Sequence, residues 1–169
     1  NPDVDPVGAC VGQKGSRVTL STRYLELSVD LETARMEVRD HGRRLLCGIG
    51  GPEKNYFNQW DACNTGICRA FLGDQPVAVE CFDLSPDEAV YGLGEKFTRL
   101  NRVGQTVDQD LKDAVGVMTP RSYKAIPFHL STRGYGVFFN HSSRMTYWVG
   151  SRSSDTVQVA LEDDFLDYY

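Results

Sequence analysis

A chain of 169 residues with 41% hydrophobic and 24% charged side chains is long enough to bury a core and reads as a single domain. Its net charge of −5, with Lys and Arg scattered in ones and twos, argues against nucleic acid and anionic membrane as partners, because both need a basic face. No apolar run approaches the roughly eighteen residues of a membrane span, and the N-terminus carries no signal-peptide pattern.

Taken in chain order, the opening Asn1-Pro2-Asp3-Val4-Asp5-Pro6 and the closing Phe165-Leu166-Asp167-Tyr168-Tyr169 read as cuts inside a longer chain. Leu25, Leu27 and Val29 alternate with Glu26, Ser28 and Asp30, the period of a half-buried strand. Asp30 to Thr33 turns the chain, and Ala34, Met36 and Val38 alternate in the return strand. Asp40-His41-Gly42 is a second turn signal, with glycine expected to take the positive φ, and Arg44 to Cys47 answers it as a short strand. Gly48 to Asp74 is a glycine-rich excursion with one short strand near Cys68 to Leu72. Its aromatics Tyr56, Phe57 and Trp60 either anchor the excursion to the core or form a sugar-stacking platform.

Gln75 to Asp83 alternates again, with Val77, Val79 and Cys81 on one face. Ser85-Pro86-Asp87-Glu88 has the composition of a capping box for one helical turn. From Tyr91 to Phe128 the clear periodicity stops, and Gly104 to Tyr123 reads as an inserted loop. The β pattern then returns: Ile126, Phe128 and Leu130 alternate, Thr132-Arg133-Gly134 turns, and Tyr135 to Asn140 runs back. Met145 to Val149 and Thr156 to Leu161 are two further strands. Eight or nine short strands with almost no amphipathic helix predict an all-β, antiparallel β-sandwich.

Several chemistries are missing. Gly92-Leu93-Gly94 lacks the third glycine and the following helix of a dinucleotide fingerprint, so no cofactor is expected. The cysteines Cys10, Cys47, Cys63, Cys68 and Cys81 form an odd, irregular set without the four ligands of a structural zinc site. They read as free thiols in a reducing cytoplasm, with no metal. His41, His129 and His141 lie far apart, in a turn, a strand and a post-strand loop, and read as surface or hydrogen-bonded core residues. Acid pairs such as Asp108 with Asp110, or Glu162 with Asp163 and Asp164, are neighbours and do not face each other across a sugar, as glycoside hydrolysis requires.

The central stretch nevertheless carries a long pattern. Tyr91-Gly92-Leu93-Gly94-Glu95-Lys96-Phe97-Thr98 is followed by Arg102-Val103-Gly104-Gln105-Thr106-Val107, then Tyr123-Lys124-Ala125-Ile126-Pro127-Phe128 and Ser131 to His141. In order and spacing these residues resemble the N-terminal domain of glycoside hydrolase family 31, the α-glucosidases and α-xylosidases, with a tilt to the α-xylosidase branch. The resemblance implies a galactose-mutarotase-like β-sandwich that precedes a (β/α)8 barrel. It also implies retaining hydrolysis of an α-linked oligosaccharide or glycoside by two barrel aspartates, so that no catalytic residue lies in this chain and the missing barrel is its partner. In that family one loop of the domain reaches the barrel mouth with a Trp-Asn-x-Asp pattern. The corresponding positions here are Asp110-Leu111-Lys112-Asp113, which leaves Asp113 as the implied substrate-binding residue and lacks the Trp-Asn start. The competing readings are an independent carbohydrate-binding module built on Tyr56, Phe57 and Trp60, and an aldose epimerase, for which the histidines are sparse.

Overall fold

The computed structural model describes residues 8–11, 16–50, 68–113 and 122–169. Its regular structure there is thirteen β-strands with no helix, and the strands pair antiparallel, as the period-two patterning predicts. The chain divides into two compact units, residues 1–67 with 81–83, and residues 68–80 with 84–169.

In the first unit β1 (Gly8–Val11), β2 (Arg17–Ser21), β3 (Leu25–Asp30), β4 (Met36–Asp40) and β5 (Leu45–Ile49) form an antiparallel meander. The register lines up Val18 with Val29, Val29 with Met36 and Met36 with Ile49, so alternate positions make one apolar face. The first predicted turn holds because the Asp30 carboxylate accepts the backbone N–H groups of Glu32 (3.0 Å) and Thr33 (2.9 Å), and these bonds with the Thr33 hydroxyl lower its pKa. In the second turn the positive φ of 64° falls on Arg43 and not on Gly42. Arg43 N–H donates to Asp40 O (2.8 Å), a four-residue turn whose left-handed residue comes last, just before the return strand. Gly48 in β5 leaves room for the Arg35 guanidinium to fork onto Asp83, which raises the Arg35 pKa. Cys47 and Cys81 are buried thiols.

In the second unit β6 (Cys68–Leu72) is the strand expected there, paired with the start of β7 (Gln75–Asp83). Ala78 to Phe82 of β7 are all buried, so the strand shows no solvent face where one was expected opposite Val77, Val79 and Cys81. Ser85 to Glu88 is a turn and not a helical turn. Half of the reciprocal bonding survives: the Glu88 carboxylate accepts the Ser85 N–H (3.0 Å), and it also holds the hydroxyls of Ser131 and Tyr135. The hydroxyls of Ser131 and Tyr135 draw the Glu88 carboxylate toward β10 and β11, and the segment closes as a turn, with Glu88 N–H on Ser85 O (3.0 Å).

Two sheets form the body of this unit. One has β12 (Met145–Val149) between β13 (Thr156–Leu161) and β9 (Gln105–Gln109), the other has β10 (Phe128–Ser131) between β11 (Tyr135–Phe138) and β8 (Val90–Gly92). Their inner faces meet at Tyr147, whose ring stands edge-on to His129 and Phe139 at centroid distances of 6.0 Å, and all three are fully buried. Such pairs add roughly 0.5–1.5 kcal/mol beyond area burial. Strand β9 occupies the first part of the stretch expected to be loop. Its inward positions are Gln105, Val107 and Gln109, so two of three carry amides and the alternation of polarity is hidden.

Burial holds His129 neutral, with its pKa drawn down from 6.5 to about 4. The unfolded chain takes up a proton below about pH 6.5 that the folded chain refuses until about pH 4. The contribution of this residue to stability is therefore whole above pH 6.5 and falls as the pH drops toward 4. Histidine ring resonances followed by NMR should show His129 in its neutral position down to about pH 5. A titration of its ring centred near pH 6.5 would contradict its place in the core.

Candidate functional site

The site begins with backbone geometry. Gly92, Leu93 and Gly94 adopt φ of 102°, 65° and 77°, three left-handed residues in succession. A Cβ on Gly94 would lie 2.1 Å from Lys124 O, and one on Gly92 would lie 2.6 Å from Phe128 O. Glycine is required at both because the backbone must approach residues 124–128 this closely. The approach is sealed by Leu93 N–H to Phe128 O and Glu95 N–H to Lys124 O, both 2.9 Å. This explains why the Tyr91 to Phe97 and Tyr123 to Phe128 motifs occur together.

Arg102 is the cation at the centre of this turn. It is buried and donates to Gly92 O (3.1 Å), Thr98 Oγ1 (2.7 Å), Arg99 O (3.0 Å) and Gly94 O (3.4 Å). Desolvation lowers its pKa from the ordinary arginine value. Gln109, at the end of β9, donates from Nε2 to Leu93 O (3.0 Å) and so ties the turn to the strand.

Beyond β9 the chain is gathered by a second cation. Lys96 Nζ donates to Asp108 O (2.7 Å) and to Ser122 Oγ (2.9 Å), joining the two sides of the segment that lies between them. Burial lowers its pKa, and the nearby Asp108 charge acts against that shift. Leu111 and Ser122 form a parallel bridge, and Lys112 N–H donates to Ser122 O (3.1 Å). On the other side Arg144 forks onto Asp108 (2.7 and 3.2 Å) and comes within 3.9 Å of Asp110, which also pairs with Lys112. The hydrogen bond to Asp108 is the main reason the Arg144 pKa is raised.

The three aspartates of the stretch therefore differ in kind. Asp108 and Asp110 face cations, whereas Asp113, one residue past the Lys112–Ser122 bond, is exposed and has no hydrogen bond or ion pair among the described residues. Residues 114–121, and the aromatics Tyr56, Phe57 and Trp60, lie outside the described residues. The histidines are not brought together. His41 is in an exposed turn, His129 is in the core, and the His141 ring packs on Phe165 (4.4 Å), with Nδ1 3.9 Å from the Asp163 carboxylate. Asp163 accepts the Ser143 hydroxyl (2.8 Å), which lowers its pKa, so the acidic run Glu162 to Asp164 is not a purely solvated turn. Among the described residues no three His, Cys, Asp or Glu side chains gather as a metal site, and no helix is long and apolar enough to cross a membrane. Arg102, Lys96, Gln109 and Arg144 were not singled out by sequence reasoning. The first two do fall inside the quoted motifs, and that was the available signal.

The model of the glycosyl hydrolase 31 N-terminal galactose mutarotase-like domain matches residues 5–147. The α-xylosidase XylQ of Lactiplantibacillus pentosus is 42% identical over 90 residues, which cover 53% of this chain and 12% of XylQ. An α-xylosidase of Emericella nidulans is 39% identical over 87 residues, 52% of this chain and 11% of that protein. Among solved structures, the GH31 dextranase of Flavobacterium johnsoniae, complexed with glucose, aligns with a TM-score of 0.77 at 26% identity, covering 96% of this chain and 18% of that one. The chain thus corresponds to a small part of each relative.

The turn geometry yields a direct test by comparing two glycines. Gly94→Ala places a methyl against backbone and should destabilise the chain by roughly 2 kcal/mol or more. Gly73→Ala has the same sign of φ (66°) with nothing within 4 Å of the added carbon, and should cost only the left-handed penalty of about 1–2 kcal/mol. Urea midpoints of the two variants should fall in that order, and an equal loss would show that the close approach to Lys124 is not what fixes Gly94.

Proposed function

The chain belongs to the glycosyl hydrolase 31 N-terminal galactose mutarotase-like domains, and we propose that it serves, within a longer parent protein, a retaining α-glycosidase of the α-xylosidase or α-glucosidase type. Its part is non-catalytic: the segment 104–123 lends Asp113 to the mouth of a following (β/α)8 barrel, where an α-linked glycoside binds. The relatives, two α-xylosidases and a dextranase, favour an α-glycoside as the substrate class.

The observation that carries this reading is the division among the aspartates. Asp108 and Asp110 face the cations of Arg144 and Lys112, and Asp113 alone of the three stands exposed beyond the clamp. A carboxylate so placed accepts hydrogen bonds from two neighbouring sugar hydroxyls and discriminates against a ligand that lacks them. Retaining chemistry needs a nucleophile and an acid/base on either side of the glycosidic bond, and in this reading both come from the barrel. What this chain supplies is orientation: a rigid base at β9 and β12, a closed loop root, and one charged acceptor beyond it.

The test is a set of alanine variants in the intact parent protein, compared on one aryl α-xyloside or α-glucoside. A charge-assisted hydrogen bond is worth roughly 1.5–3 kcal/mol, so Asp113→Ala should lower kcat/KM about ten- to a hundredfold with the melting temperature unchanged. Asp113→Asn keeps one acceptor and should lose less. Asp108→Ala breaks a partly exposed fork worth about 1 kcal/mol or less, so it should lower the melting temperature slightly and kcat/KM little. Wild-type kcat/KM in Asp113→Ala, or a larger loss in Asp110→Ala, would refute the assignment.

A further inference from the structure

We propose that a polar cleft in the first unit binds one unit of a saccharide, held edge-on through its hydroxyls. The cleft shares no residue with segment 104–123, and the inference goes beyond the function proposed above. It is lined by Arg17, Ser28, Asp30, Thr33, Arg35 and Glu37. Strand register brings them together: Arg17 stands opposite Asp30, and Ser28, two residues from Asp30, stands opposite Glu37. Residues directly opposite in an antiparallel pair point the same way, and so do residues two apart in a strand. These four therefore share the sheet face opposite to the apolar positions Val18, Val29 and Met36. Thr33 closes the cleft from the turn, and Arg35 walls it, with its guanidinium committed to Asp83 and Gly50 O.

What the lining leaves unmet defines the ligand. Ser28 is only 9% exposed, and its hydroxyl opens on the cleft with no hydrogen bond among the described residues. A hydroxyl withdrawn from water without a partner costs free energy that a ligand group restores. Beside it, Glu37 takes the Arg39 guanidinium on Oε2 (2.8 Å), while Oε1 accepts no hydrogen bond from the described residues. Asp30 spends Oδ1 on its own turn, and its Oδ2 has the Arg17 guanidinium at 4.0 Å, beyond hydrogen-bond reach. Two carboxylate oxygens, one hydroxyl and one guanidinium thus face a common space with bonds still to make.

The balance of charge selects among ligands. Arg17 faces Asp30, Arg35 pairs with Asp83 and Arg39 pairs with Glu37, so each cation around the cleft is matched by a carboxylate. A phosphate entering here meets Asp30 and Glu37, and a metal ion meets Arg17, so neither finds a field of one sign. A neutral polyol fits, because each of its hydroxyls can donate to a carboxylate while accepting from Ser28 or Arg17. The lining holds no aromatic ring, so recognition is by the edge of a sugar and not by stacking on its face. The space measures about 110 Å³ and is half-open to solvent. A closed cavity of about 150 Å³ takes a benzene ring, so this cleft admits one edge of a single six-membered ring.

Carboxylate footprinting of the full-length parent tests the assignment at the residues themselves. Carbodiimide coupling of glycine ethyl ester is followed by mass spectrometry while xylose, glucose or isomaltotriose is titrated. Asp74, exposed in the turn between β6 and β7, serves as the internal reference. Binding predicts that labelling of Asp30 and Glu37 slows saturably with at least one sugar, relative to Asp74. Phosphate and calcium, titrated at constant ionic strength, should give no such saturation. Labelling that no sugar changes overturns the proposal, and so does saturable protection by phosphate or calcium in place of sugar. Carboxylates that do not label even without sugar would show the cleft covered in the parent, and would equally overturn it. In a second arm, Ser28→Ala should raise the half-protecting sugar concentration by about two- to tenfold, the loss of one hydrogen bond. Arg17→Gln, at a side chain 57% exposed, changes a donor without touching the core and should shift it the same way. Half-protection at the wild-type concentration in the folded variants refutes the site.

Discussion

The left-handed turn from Gly92 to Gly94 hangs on a single buried guanidinium. Taking a cation out of water costs several kcal/mol unless its donors are satisfied, and Arg102 meets that condition with three carbonyls and a hydroxyl, no carboxylate among them. The carbonyls of Gly92 and Gly94 belong to the left-handed run, so satisfying Arg102 and holding the turn are the same event. That turn in turn positions Leu93, whose carbonyl receives Gln109, and Glu95, whose N–H reaches Lys124. The path from Arg102 to Asp113 is a series of short covalent steps between fixed bonds, and these are to backbone except at the hydroxyls of Thr98 and Ser122. Side-chain identity along the path is therefore constrained wherever a donor is needed and free elsewhere.

Electrostatics then sorts a stretch that looks uniform in sequence. Lys96, half-buried, and Arg144, more exposed, converge on Asp108 from two directions, one on its carbonyl and one on its carboxylate. An exposed ion pair is worth about 0–1 kcal/mol, so the stability gained from Arg144 is small. Its larger effect is geometric, since a two-pronged fork fixes the direction in which β9 ends. The half-buried Lys96 contributes more specificity, because displacing either of its acceptors would leave a partly desolvated ammonium with a missing partner.

Most of the fold could be read from period-two patterning. The strands at Leu25–Asp30, Met145–Val149 and Thr156–Leu161 were legible because apolar residues alternate or cluster there. Strand β9 was not, since Gln105 and Gln109 fill inward positions and donate their side-chain amides to loop carbonyls, a bond that polarity alone does not announce. The Ser85 to Glu88 signal misled because its acid is recruited by hydroxyls from β10 and β11, residues more than forty positions away. At the second hairpin the nearest glycine drew the expectation, but the hydrogen bond from Arg43 to Asp40 places the strained residue one step later. Asp113 enters as a candidate through resemblance only. Nothing in its local sequence separates it from Asp108 and Asp110, which differ from it by cations supplied from Arg144 and Lys112.

The bond between Lys112 N–H and Ser122 O has an evolutionary consequence. It closes the chain on itself at the root, so the strands on either side do not register how many residues are strung between those two positions. Lengthening such a closed excursion costs only about 0.6 kcal/mol for each doubling. Insertions, deletions and replacements between those two positions can therefore accumulate without shifting β9 against β12. A lineage that keeps Lys96, Arg102 and Ser122 can exchange the intervening residues as a cassette on an unchanged scaffold.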